Sequence, residues 1–492
     1  MPSETLDPAS CYRALVARDA RFDGVFFVGV RTTGIYCRPV CRARTPGEDR
    51  CVFFSHAAEA ERDGFRACFR CRPERAPGSG SDSFVSRTVA VAVARIEAGA
   101  LGEGSLDDLA RDIGVTSRHL RRCVQAELGV SPIELALSRR LALARELLHG
   151  TSLSMTDIAF ASGFQSIRRF NDAFATRHGR APSAMRRAAL SQAGRRSAAN
   201  ARSSVRLTLE YRPPYDWAQT LAFLETRAVT GVEEVIDGAY VRTVRVGDRR
   251  GWVSVRPSRG NAVSLEVAPS LVHDLLAIVA KVRRLFDLDA RPGAIDPHLA
   301  KDPRLAPFEK KHPGLRVPGA FEPFETAIAA VLGQQVTVRA GVTLASRLVA
   351  ALGEDMETPF DGLARLWPTA ERVGRAREAT LARLGMPGAR ARTLGLVARA
   401  VANGRLELDR PTSPAALDEQ LLAIDGVGRW TAQYILMRAA AWPDAFPEGD
   451  AALARALGTT RRELTPDVAD AWRPWRSYAT LHLWTALAGE LP

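Results

Sequence analysis

The sequence predicts a multidomain α+β protein in three parts. A small cysteine-rich domain comes first, then an all-α double helix-turn-helix domain. The last part is a larger α+β domain whose N-terminal antiparallel sheet leads into a helical region with a helix-hairpin-helix. Three observations predict this. Four cysteines cluster as CxxxC…CxxC, at Cys37, Cys41, Cys68 and Cys71. Two helix–Gly turn–helix patterns recur about 50 residues apart, as in paired helix-turn-helix units, between residues 84 and 189. Residues 205–268 alternate apolar and polar side chains and give way to helical periodicity.

At 492 residues the chain has room for two to four domains, each with its own core. The opening MPSETLDPAS has neither the basic nor the apolar region of a signal peptide, and no long apolar run suggests a membrane span. The expected location is cytoplasmic, associated with the nucleoid, where thiols stay reduced. The formal charge is +13, and residues 1–204 carry 31 Arg and no Lys against 21 acidic residues. A basic excess suits a protein that neutralises nucleic-acid phosphates, although only four Lys in the whole chain also indicates an Arg-rich composition.

Two short-loop cysteine pairs in a reduced compartment fit a tetrahedral Zn²⁺ site rather than disulfides. Spacing alone leaves open a structural zinc knuckle. The text around the pairs, FFVGVRTTGIYCRPVCRAR (26–44) and GFRACFRC (64–71), resembles the zinc domain of the adaptive-response regulator Ada. The resemblance implies that Cys37 is a methyl acceptor, taking the group stoichiometrically from a DNA phosphotriester. It also implies that loss of thiolate charge on methylation tightens DNA binding and switches on transcription. Cys11, Cys51 and Cys123 lack such spacing and read as ordinary thiols. The second acceptor motif of that family, Pro-Cys-His-Arg, is absent, since no Cys follows Cys123. The first domain is expected over 1–78, ending in the Pro/Gly/Ser-rich linker RPERAPGSGSDS (72–83).

In the second domain, expected over 82–189, Ser105 caps a helix with Leu106, Leu109, Ala110 and Ile113 on one face, closed by Gly114. The next helix turns Leu120, Cys123, Val124 and Leu128 inward. It presents Arg118, His119, Arg121, Arg122 and Gln125 outward, a set suited to bases and phosphates. A bridging helix (132–149) leads to the second repeat, where Ile167, Phe170 and Phe174 form the apolar face and Arg168 and Arg169 are free for DNA. The motif GFQSIRRFNDAF with the trailing GRAPSAMRR resembles the AraC-type domain. An Ala/Arg/Ser stretch (191–204) reads as a flexible linker.

The third domain, 205–490, divides into a sheet part (205–270) and a helical part (271–490) with a Pro-rich break at 291–323. LLAIDGVGRWTAQYILMRA (421–439) reads as helix, Gly-Val-Gly hairpin, helix, in which Gly426 and Gly428 leave backbone N–H groups open to a DNA phosphate. Asp450 follows 22 residues after Gly428 at the start of another helix. RPPYDWAQTLAFLETRAV, FEPFETAIAAVLGQQVTV and WRPWRSYATLHLWTAL resemble 3-methyladenine DNA glycosylase II (AlkA), a member of the helix-hairpin-helix glycosylases. The resemblance implies hydrolytic excision of alkylated purines. Asp450 would stabilise the oxocarbenium-like sugar or activate water; the plain alternative is a helix N-cap, a role it can hold at the same time, and Asp444 is the nearby competitor. Phe223, Trp430, Tyr434 and Trp484 align with the pocket that stacks on a flipped base. Trp430 stands where strand-nicking relatives carry a lysine nucleophile, which implies a monofunctional enzyme. Gln335 stands where the family has an apolar wedge.

Together these readings describe an alkylation sensor, transcription activator and glycosylase on one chain. The alternatives are a DNA-binding regulator with structural zinc and an inactive glycosylase fold, or an enzyme that its first two domains merely recruit to DNA. The expected partners are double-stranded DNA and RNA polymerase, with no membrane, and the expected state is a monomer.

Overall fold

The computed structural model describes residues 7–78, 86–102, 104–193, 204–409 and 411–488. Of the two expected linkers, residues 79–83 and 194–203 lie outside the described residues, whereas 72–78, expected as linker, hold a 3-10 turn at Pro73–Arg75 pinned by Arg72 and Arg75 to Glu146. Among the described residues no helix is long and apolar enough to cross a membrane. The chain divides into two compact units: residues 1–213 with 258–280 and 288–290, and residues 214–257 with 281–287 and 291–492.

The first unit opens with helix α1 (Pro8–Ala17) and a four-stranded sheet of β1 (Phe27–Val30), β2 (Ile35–Cys37), β3 (Cys51–Phe54) and β4 (Arg66–Ala67), ordered β3-β1-β2-β4. β1 runs antiparallel to β2 and β3, with Val28 opposite Cys37 and Phe53. Two small cores flank the sheet: Cys11, Leu15, Phe26 and Val28 beneath α1, and Phe27, Tyr36, Phe54 and Ala60 beneath α2 (Ala57–Arg62). Gly29 in β1 is required by packing, since a Cβ there would lie 2.7 Å from Phe54 Cε2 and 2.8 Å from Phe65 Cε1. Cores this small leave a domain dependent on a metal staple.

Seven helices follow: α3 (Arg87–Glu97), α4 (Leu106–Ile113), α5 (Ser117–Leu128), α6 (Pro132–Gly150), α7 (Met155–Ala161), α8 (Ile167–His178) and α9 (Pro182–Ala193). Ser105 caps α4 in a reciprocal box with Asp108, and Gly114 closes it at φ +80°. Leu120, Val124 and Leu128 of α5 are buried and Cys123 packs beside them. In α8, Phe170 and Phe174 are buried but Ile167 is 38% exposed, contrary to the expectation that it shares their face. Ile167 is the first helical residue, and Phe164, whose ring lies 5.4 Å from that of Phe170, fills the core position instead.

The alternating text of 205–268 forms β5 (Val205–Glu210), β6 (Glu233–Ile236), β7 (Ala239–Val246), β8 (Arg249–Ser258) and β9 (Ala262–Val267). In the first unit β5 and β9 pair antiparallel, with Leu207 opposite Leu265. In the second, β6, β7 and β8 form an antiparallel meander. Apart from a two-residue antiparallel ladder between Glu354–Asp355 and Arg365–Leu366, the rest of the second unit's described regular structure is helical. The Pro-rich stretch expected as a break holds two short helices, Pro292–Leu299 and Ala306–Lys311. The helices that build its site are α10 (Trp217–Glu225), α11 (Pro323–Leu332), α12 (Gly388–Ala402), α13 (Pro414–Leu422), α14 (Arg429–Arg438), α15 (Ala451–Ala456) and α16 (Arg476–Ala488).

Candidate metal centre and base-excision site

The register of the small sheet assembles the cysteine cluster. β2 and β4 pair in parallel with Tyr36 opposite Ala67, so Cys37 and Cys68 leave adjacent strands at the same level. Cys68 N–H donates to the Tyr36 carbonyl at 3.0 Å. Cys41 returns through a turn in which its N–H meets the Arg38 carbonyl at 3.1 Å, and Arg38 N–H donates to Cys71 Sγ at 3.4 Å. All four sulfurs lie within 4.8 Å of one another. A tetrahedron of sulfurs about 2.3 Å from zinc has edges of about 3.8 Å, so the four atoms fit that ion. Four thiolates this close would repel one another, so a divalent cation is what allows all four to be deprotonated together. The other cysteines stand apart from the cluster; burial pushes the Cys11 thiol up to about 11.

Within this unit the knuckle rests on α6. Arg145, on that helix, donates from Nη2 to the Cys68 carbonyl at 2.8 Å and pairs with Glu74 at 3.3 Å. Glu146 accepts Arg72 at 2.6 Å and a bidentate grip from Arg75 at 2.9 and 2.8 Å. Glu61 takes the Tyr36 hydroxyl at 2.8 Å and Arg177 of α8 at 3.1 Å. Arg118, Arg121 and Arg122 on α5, and Arg168 and Arg169 on α8, are all exposed. The His119 and Gln125 side chains also lie outward, although Gln125 Nε2 caps its own helix at the Gly129 carbonyl (2.7 Å).

In the second unit α13, the hairpin 423–428 and α14 form the helix-hairpin-helix. Gly426 has φ +84°, and a Cβ there would stand 1.9 Å from Thr393 Oγ1, so the fold itself demands glycine. Gly428 caps α14 at φ −92°, and a Cβ added to it would meet nothing within 4 Å. Gln334 ties the neighbouring loop to the hairpin, donating to the Gly426 carbonyl and to Thr431 Oγ1, both at 2.9 Å. This leaves Gln335 exposed beside the hairpin at φ +54°, a conformation that costs a non-glycine residue energy.

Asp450 caps α15, its Oδ1 accepting Leu453 N–H at 2.8 Å. Trp430 Nε1 donates to its Oδ2 at 2.7 Å, and Trp484 Nε1 to its Oδ1 at 3.2 Å. Trp430 stacks on Tyr434 with centroids 5.2 Å apart and planes 21° from parallel, and Tyr434 leans on Trp484 at 6.1 Å. Asp444, the competitor named from sequence, is occupied elsewhere: Arg473 holds it at 2.6 Å and Arg476 at 2.7 Å.

Sequence reasoning missed two arginines at this site. Arg227 lies over the Phe223 ring at 3.7 Å, and Arg438 over the same ring at 4.6 Å. Arg438 also donates to the Tyr434 hydroxyl at 3.0 Å. Burial alone would raise the Tyr434 phenol, but Arg438 and Arg227 beside it draw it down. The available signal was spacing: each arginine follows an aromatic by four residues, Phe223–Arg227 and Tyr434–Arg438.

Three family descriptions match the chain: the metal binding domain of Ada over residues 10–74, a helix-turn-helix domain over 109–188, and the AlkA N-terminal domain over 206–322. A Mycobacterium tuberculosis protein named "Probable bifunctional transcriptional activator/DNA repair enzyme AlkA" is 42% identical over 482 residues, covering 97% of this chain and 96% of that one. The Escherichia coli DNA-3-methyladenine glycosylase 2 is 34% identical over 56% of this chain and 96% of its own. The Escherichia coli bifunctional transcriptional activator/DNA repair enzyme Ada is 34% identical over 31% of this chain and 42% of its own. The 3-methyladenine DNA glycosylase of Archaeoglobus fulgidus shares the fold at a TM-score of 0.50 and 19% identity, over 56% of this chain and 97% of that one. The chain belongs to the family of bifunctional transcriptional activator/DNA repair enzymes that carry an Ada-type metal-binding domain, a helix-turn-helix domain and an AlkA-type domain on one polypeptide.

Proposed function

We propose that residues 1–78 sense DNA alkylation, residues 82–189 read promoter DNA, and residues 205–490 excise alkylated purines such as 3-methyladenine. The chain is a DNA repair enzyme and transcriptional activator, and the DNA it acts on is, in this reading, double-stranded. The observation that carries the enzymatic reading is the Asp450 carboxylate, fixed by a helix N-terminus and two indoles inside an aromatic cluster.

An N-glycosidic bond to a methylated purine breaks with positive charge developing on the sugar. Asp450 is the anion that meets this charge, and its three donors hold it in place before reaction. Trp430, Tyr434, Trp484 and Phe223 offer ring faces to an extruded base. Gly426 and Gly428 bring the hairpin to the DNA backbone, and Gln335, projecting beside it, occupies the gap in the duplex. No lysine stands at position 430, so strand nicking is not part of the reaction.

At the other centre, Cys37, Cys41, Cys68 and Cys71 would hold a zinc ion, which when bound would supply the positive charge that keeps them thiolates at neutral pH. Cys37 Sγ attacks the methyl carbon of a phosphotriester; the S–C bond forms as the C–O bond breaks, and the oxygen leaves with its electron pair as a phosphodiester. Negative charge at the centre falls by one. The adjoining α5 and α8, with Arg118, Arg121, Arg122, Arg168 and Arg169, then bind promoter DNA more tightly and recruit RNA polymerase. Two helix-turn-helix units on one chain let it act as a monomer in the nucleoid.

The test is to incubate the full chain with duplex DNA alkylated at bases and phosphates. Free 3-methyladenine should accumulate over many turnovers, while methyl transfer to protein should stop at one group per chain. Absence of free base would remove the glycosylase reading; absence of protein-bound methyl would remove the sensor reading.

A further inference from the structure

Arg38, next to Cys37 in sequence, links the two halves of the cysteine cluster. Its backbone N–H reaches Cys71 Sγ at 3.4 Å and its Nη1 donates to the Cys71 carbonyl at 3.1 Å. The guanidinium is only 5% exposed. Its Nε donates to Asp23 Oδ1 at 2.7 Å, and its Nη2 to the other Asp23 oxygen. Nη1 also pairs with Glu210 Oε2 at 2.7 Å. Glu210 is the last residue of β5 and belongs to the stretch that matches the AlkA N-terminal domain, far outside the Ada-type residues 10–74.

Two residues on, Arg212 holds the other side of the same cradle. It is 1% exposed. Nε donates to the Asp23 carbonyl at 2.8 Å, Nη1 to the Asp289 carbonyl at 2.8 Å, and Nη2 to the Gly78 carbonyl. Gly78 N–H in turn donates to Asp289 Oδ1 at 2.6 Å. The loop carrying Asp23 has no slack: a Cβ at Gly24 would lie 2.0 Å from the Pro77 carbonyl oxygen and 3.1 Å from Arg212 Nη2. Arg38 is paired with both Asp23 and Glu210, and Arg212 grips the Asp23 backbone from the other side. A buried guanidinium keeps one orientation only when its fork is filled.

We infer that Glu210 and Arg212 are positioning residues of the methyl-acceptor centre, acting on the cysteines through Arg38 and Asp23. The sensor is therefore completed by a strand from the glycosylase end of the chain. This inference rests on the reading of Cys37 as acceptor. Loss of one charge-assisted bond to Arg38 should slow methyl transfer about tenfold.

The experiment uses full-length Glu210→Gln, Glu210→Asp, Arg212→Met and Arg212→Lys. Single-turnover transfer of labelled methyl from phosphotriester DNA is measured across DNA concentrations, separating the rate constant from DNA affinity. Metal geometry is followed by the thiolate-to-metal absorption of the Co²⁺-substituted protein and by zinc release to a chromogenic chelator. Glu210→Gln should lower the transfer rate constant with DNA affinity unchanged, alter the cobalt spectrum and speed zinc release. Glu210→Asp, which keeps the charge, should recover part of each, and 3-methyladenine excision should stay at the wild-type rate. Wild-type spectra, zinc release and transfer in both Glu210→Gln and Arg212→Met would overturn the inference while leaving Cys37 as acceptor. If the wild type itself takes up no methyl, the acceptor reading fails. The cobalt and zinc measurements then decide on their own whether the two residues shape the centre, with unchanged values overturning it.

Discussion

Replacing Asp450 by Asn keeps the side-chain outline but cannot keep all three of its hydrogen bonds. The carboxylate accepts Leu453 N–H and Trp484 on one oxygen and Trp430 on the other. An amide oriented to preserve the cap turns its NH₂ toward the Trp430 indole, donor against donor. That leaves a buried N–H unpaired, at a cost of about 1–3 kcal/mol. The flipped amide spares Trp430 but loses both the cap, at about 1 kcal/mol, and the Trp484 bond on the same oxygen. At roughly 2–4 °C per kcal/mol for a unit of this size, melting of the second unit should fall by about 2–12 °C. The chemical loss is larger: removing a fixed charge aimed at a charged transition state costs on the order of 10²–10³ in rate. Single-turnover release of labelled 3-methyladenine measures the second quantity, and thermal melts with a DNA-binding assay bound the first. Asp444→Asn is the control. It strips Arg473 and Arg476 of their buried partner, at about 3–5 kcal/mol, yet its folded fraction should excise normally. Excision by Asp450→Asn at the wild-type rate, or a rate loss confined to Asp444→Asn, would refute the assignment.

Three further outcomes are expected. Cys37→Ala should abolish methyl uptake and damage-induced transcription while base excision continues; peptide mass spectrometry of the wild type that finds the added methyl on Cys41, Cys68 or Cys71 would contradict this. The methylated full chain should bind promoter DNA more tightly than the unmethylated chain, with a gain that shrinks as salt screens the relieved repulsion; a gain independent of salt would exclude an electrostatic switch. His56 caps α2 by accepting Ala58 N–H on Nδ1 at 3.1 Å, and burial pushes its imidazole from 6.5 down to about 4. Its neutral ring therefore stabilises the fold fully above pH 6.5, and that contribution is lost as pH falls toward 4 because the unfolded chain takes the proton first. His56→Asn, a cap that does not titrate, should flatten the acid side of the melting profile, and an unchanged profile would show the ring to be irrelevant there.

What the sequence revealed follows from the range of the interactions involved. The cysteine set, the Ser105 box and the Gly114 stop are local, and spacing suffices to read them. The order of hairpin and then an Asp at a helix start favours Asp450 over Asp444 in sequence, but the partners that set their roles lie 20 to 34 residues away and are not local: indoles for one, arginines for the other. Ile167 was misread because helical periodicity says nothing about whether a first-turn residue lies under the core. Arg227 and Arg438 carried a usable four-residue signal, but basic residues on a helix usually point to water. Glu210 and Arg212 carried none, since their partners at Arg38 and Asp23 are more than 170 positions away.

The two hairpin glycines, two positions apart, owe their identity to different things. At Gly426 the protein's own interior forbids a side chain, so replacement there is felt as damage to the molecule whether or not DNA is present. At Gly428 the backbone is ordinary and the space beside it is open, so the protein alone would accept a methyl group without complaint. The bareness of that position matters only to something arriving from outside. Of the two, Gly428 is where alanine tests the proposed docking of the DNA backbone without disturbing the fold.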